Sequence, residues 1–151
     1  MQPGPGVKQR KAVWLLIVFA IAISPLLLLA IKLLSKSNSV VQPPPPPPDP
    51  VYFSVAAGLL LLMAIWWTLS KVRPKQEVGG EAELVPAATF QTNSIIALAL
   101  SEAAAIMGFV AAPSGHGSMM IPFVGGSLVV ILFVILPSGV AYWRLKEERG
   151  E

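Results

Sequence analysis

The sequence predicts an all-α, polytopic membrane protein with four transmembrane helices, the last two forming a tight hairpin. Of its 151 residues, 54% are hydrophobic and only 13% charged. The mean hydropathy is +0.69, so too little polar surface exists to clothe a soluble globule. Four apolar stretches, Val13 to Leu34, Val51 to Ser70, Thr92 to Ala112 and Met119 to Trp143, lie near the ~20 residues that a hydrocarbon core about 30 Å thick demands of a helix. Apart from Lys32, the cations fall outside the stretches.

Lys8, Arg10 and Lys11 precede the first stretch. Its apolar run exceeds the core of a secretion signal and lacks a clear small-x-small cleavage pattern, so residues 1-34 read as a cytoplasmic N-terminus and a retained anchor helix. Pro25 should kink that helix, and Lys32 can snorkel to the headgroups. Residues 35-50 (SKSNSVVQPPPPPPDP) form an extracytoplasmic spacer, because consecutive prolines donate no backbone hydrogen bonds and favour a stiff polyproline II rod. A semi-rigid spacer fits better than a ligand for a proline-binding groove, and it should hold helix one away from the rest.

Residues 51-151 then make a three-helix membrane unit with a cytoplasmic loop at 71-91 and a C-terminal tail. The loop passes from basic (KVRPKQ) through Gly79 and Gly80 to acidic Glu81 and Glu83, as a solvated connection does. Lys71, Arg73 and Lys75 after helix two, and Arg144, Lys146 and Arg149 after helix four, join the N-terminal cations on one side, against Lys32 and Lys36 on the other. The positive-inside rule then makes both termini and the middle loop cytoplasmic in an inner (plasma) membrane. Trp66, Trp67, Tyr142 and Trp143 fall at the cytoplasmic helix ends, where an aromatic belt belongs. Pro137 should kink helix four, and SGHGS at 114-118 makes the hairpin turn, with His116 an exposed loop residue.

With no cysteine and one histidine, neither a disulfide nor a protein-built zinc or haem site is possible, and no cofactor or metal is implied. No nucleophile and base occur together, so no catalytic residue is assigned and an enzyme is not expected. The net charge of +3 is explained by lipid headgroups and topology, not by nucleic acid.

One residue resists this structural account. Glu102 lies near the middle of the uncharged stretch from Thr92 to Pro113, where a charge costs about 2.5 to 3.5 kcal/mol or more and marks a functional site by default. No cation sits at comparable depth, so nothing within the chain neutralises it as an ion pair. On the same helix Ser94, Ala97, Ser101, Ala104 or Ala105, Gly108 and Ala111 recur every three or four residues, a stripe of small side chains for close helix packing. Glu102 lies about 100° round from Ser101, at the stripe's margin. Gly125, Gly126 and Ser127 offer matching low bulk on helix four. The carboxyl then either binds and transfers protons, or donates a structural hydrogen bond in an accessory or assembly subunit of a larger complex. Either way a homo-oligomer or larger membrane complex is expected.

The run Ala99-Leu-Ser-Glu102-Ala-Ala-Ala-Ile106-Met-Gly108-Phe-Val110 resembles the carboxylate helix of the rotary ATP synthase ring subunit, or proteolipid, family. There an acid follows a small or hydroxylated residue, with isoleucine and glycine four and six positions on. The resemblance implies that Glu102 carries protons and that copies assemble. The rest of the chain departs from the family: the preceding helix has only Gly58, carries Trp66 and Trp67, and leads into a longer loop with Arg73 and Pro74. The small multidrug exporters also combine four helices with one membrane glutamate, but theirs lies in the first helix.

Overall fold

The computed structural model describes residues 6–35, 50–76, 82–111 and 121–149. Helix α1 covers Val7–Ser35, and α2 covers Pro50–Trp67 and continues into a π-helical turn, Thr68–Val72. A two-residue strand pair follows, β1 (Lys75–Gln76) antiparallel to β2 (Ala82–Glu83). Then come α3 (Ala87–Ala111), α4 (Ile121–Val129), a π segment (Val130–Ile135) and α5 (Leu136–Glu148). Four helical spans, Val7–Ile31, Val51–Val72, Ala87–Val110 and Ile121–Glu148, are long and apolar enough to cross a bilayer. The fold is all-α, as the sequence predicts, with one small strand pair in the middle loop. The proline run, the 114-118 turn with His116, and residues 77–81 lie outside the described residues.

Proline chemistry accounts for the break in the fourth span. Pro137 has no N–H to give, and its ring crowds the carbonyl one turn back. The helix widens just before it: the Leu136 N–H reaches Ile131 O, five residues back, as in a π-bulge. Ser138 Oγ donates to Val134 O at 2.7 Å. By contrast, α1 stays helical through Pro25.

The third helix starts at Ala87, directly after Pro86, so residues read as loop form its first turn. Among them is Phe90, whose N–H donates to Pro86 O at 3.0 Å and whose side chain is fully buried. It stacks on Tyr142, with ring centroids 3.7 Å apart and planes within 2°, while Trp14 and Trp143 close round it at 5.8 and 5.5 Å. Tyr142 Oη donates to Val85 O at 2.8 Å. Tyr142 and Trp143 are therefore core residues and not a lipid-facing belt, because Phe90 gives them an apolar partner inside the bundle. Trp66, by comparison, is 60% exposed.

This cluster also overturns the separation of helix one. Trp14, Val18 and Ala22 are buried, and the Trp14 ring lies where a side chain on Gly139 of α5 would have to go. Lys11 Nζ pairs with Glu147 Oε1 at 2.9 Å. The start of α1, the middle loop and the end of α5 thus meet at one end of the bundle. The central element is α3, on which α1, α2 and α4 all pack.

Candidate functional site

The small-residue stripe of α3 is a sealed seam. Ser94, Ala97, Ser101, Ala104 and Ala105 have no exposed surface, and Gly108 is buried. Close approach follows from their size: a Cβ on Gly108 would overlap the Phe123 side chain, and Ala105 packs in one cluster with Val124. Ser127 Oγ donates to Ser101 O at 2.7 Å. A helix carbonyl already bonded along its own ladder accepts this second bond through its other lone pair.

The glycines of helix four do not make that contact. Gly125 faces open space, and Gly126 looks toward Leu61 of α2, 3.0 Å from where its Cβ would be. Ser127 and Phe123 meet α3 instead. Nothing in the sequence separates Phe123, half-buried on the seam, from Phe133, which is 73% exposed. Only the identity of the neighbouring helix does.

Glu102 sits on the border of this seam. It is half-buried, between buried Ser101 and half-buried Ala103, and the helix face beyond it carries Ile95, Ala99, Ile106 and Val110, all exposed. Its depth follows from Asn93, whose Nδ2 donates to Lys71 O at 3.3 Å at the end of the second span. From position 93 to 102 at 1.5 Å per residue is about 14 Å along the axis, near the middle of a core about 30 Å thick.

No hydrogen bond or ion pair among the described residues involves the Glu102 carboxyl. Ser101 Oγ is buried without a partner among the described residues, so the adjacent hydroxyl does not serve it either. Nor do the described residues gather three His, Cys, Asp or Glu side chains that could hold a metal. The site is one carboxyl with a sealed side and an open side, able to hold a proton or to bond with something outside the chain.

Fold and site define a four-span, all-α membrane protein with a carboxyl at mid-depth. No known family's profile matches the chain, and no curated protein or solved structure matches it.

Proposed function

We propose that this membrane protein takes up and releases protons at Glu102, across the open edge of α3 and in an assembly with other chains. The carrying observation is that a carboxyl at mid-depth, bordering an exposed apolar face, has no hydrogen-bond or ion-pair partner among the described residues. A purely internal hydrogen-bond donor needs an internal acceptor. A proton carrier needs a side from which water or a partner's cation can reach it. The likeness of residues 99 to 110 to the ring-subunit carboxylate helix supports the same reading, and the cation distribution supports cytoplasmic termini and middle loop.

An accessory subunit whose Glu102 bonds to another protein's helix is the second reading, favoured by the same open edge. Its docking surface would be the Ile95–Ala99–Ile106 face, because the small-residue seam is filled within the chain.

Labelling with dicyclohexylcarbodiimide in native membranes across a pH series, followed by peptide mass spectrometry, separates the two. Selective modification of Glu102 at neutral and higher pH, with proton flux in proteoliposomes abolished by Glu102→Gln, supports proton exchange. Absence of labelling at every pH, with the helix intact, rejects it in favour of a sealed bond to a partner that should co-purify.

A further inference from the structure

A second site lies at the end of the bundle, away from Glu102. A cavity of about 550 Å³ opens between the π turn that ends α2 and the start of α3, within the usual size range of ligand pockets. Lys71 and Arg73 line one side and Thr89 and Asn93 the other, with Trp67 and Tyr142 among its walls. Among the described residues, no acidic one lines it. Neither Lys71 nor Arg73 pairs with an acid among the described residues, and both are exposed. The bond from Asn93 Nδ2 to Lys71 O ties the two sides together. The buried indole N–H of Trp67 has no acceptor among the described residues.

The cavity's level in the membrane indicates its occupant. Lys71 belongs to the last turn of the span Val51–Val72, so the cations stand at headgroup height. Below them, Leu62 and Trp66 of α2 and Leu69 of the π turn are 64%, 60% and 47% exposed. Four and three residues apart, these side chains lie toward one side, and Arg73 follows the π turn in extended conformation. An acyl chain lying against these exposed apolar side chains would bring its phosphate to the level of Lys71 and Arg73. We infer that this cavity binds an anionic phospholipid, its phosphate held by Lys71 and Arg73 and its polar head received by Thr89 and Asn93. Two cations with no acidic partner among the described residues select an anionic headgroup over a zwitterionic one, whose ammonium they would repel.

Native mass spectrometry of the full-length protein in mild detergent, titrated with phosphatidylglycerol, phosphatidylcholine or inorganic phosphate, tests this. Phosphatidylglycerol should bind about tenfold tighter than phosphatidylcholine. The double variant Lys71→Gln/Arg73→Gln should lose most of that preference, while Lys8→Gln/Arg144→Gln, removing equal charge from the same end, should keep it. Equal binding of both lipids, or equal loss in both double variants, overturns the inference. Displacement of the lipid by millimolar phosphate also overturns it, as the site then takes the free anion. A photoactivatable phosphatidylglycerol on the wild-type protein needs no variant to fold: crosslinks should concentrate in residues 62–93, and labels spread evenly over all four spans would refute the site.

Discussion

On one face of α3, Ser94, Ala97, Ser101, Ala104 and Ala105 are closed off completely by neighbouring helices, whereas on the other Ile95, Ala99, Ile106 and Val110 stay open, with Glu102 on the line between. The sealed face is the less hydrophobic of the two. In water that order would be odd, since burial follows apolar area. In lipid the solvent is as apolar as leucine, so helices associate where small side chains permit close van der Waals contact and an interhelical hydrogen bond, as Ser127 makes to Ser101 O. Bulky aliphatic residues are left for lipid or for a partner.

The comparison can be pressed hardest where the seam meets the aromatic end. Phe90→Ala removes the ring stacked on Tyr142 and should destabilise the bundle by about 3 kcal/mol in a dodecyl sulfate unfolding titration. Phe90→Leu should recover about half of that. A Phe90→Ala protein that unfolds with the wild type would show that the cluster contributes little.

Within the seam, Gly108→Val should cost about 2 kcal/mol by driving into Phe123, while Ala99→Val on the open face should stay within about 0.5 kcal/mol. Equal costs at the two positions would erase the distinction between faces. Ser127→Ala should cost about 0.6 kcal/mol, the typical worth of an interhelical bond in a bilayer, read from the same titration.

Smallest in stability, and sharpest for function, is Glu102→Gln. With no bond to lose among the described residues, it should shift unfolding by less than about 0.3 kcal/mol, within the range for substitutions that break no contact. It should abolish carbodiimide labelling entirely. A large destabilisation instead would mean that the carboxyl is bonded within the folded protein, and the border position would lose its meaning.

Much of this was legible along the chain. The four spans, the small-residue stripe and the marginal place of Glu102 follow from residue type and helical period, because both act locally. Helix edges were less so: Ala87 to Gln91 read as loop because Pro86 and modest hydropathy hide the first turn of α3. The contact partners were not legible. Ser127 was named only within a low-bulk region, and the glycines beside it turn elsewhere, since which face of helix four meets α3 depends on where α2 sits.

By itself, the sequence determined that this is a four-span membrane protein with an acid at mid-depth. Hydrocarbon thickness and the need to satisfy every backbone group inside lipid turn apolar length directly into helices. Tertiary structure alone decided that α1 joins the core through Trp14 and Gly139, that Tyr142 and Trp143 turn inward onto Phe90, and that Glu102 keeps an open side. In lipid every apolar helix face is equally acceptable to the solvent. Shape complementarity between particular helices, which no single helix encodes, selects the faces that close.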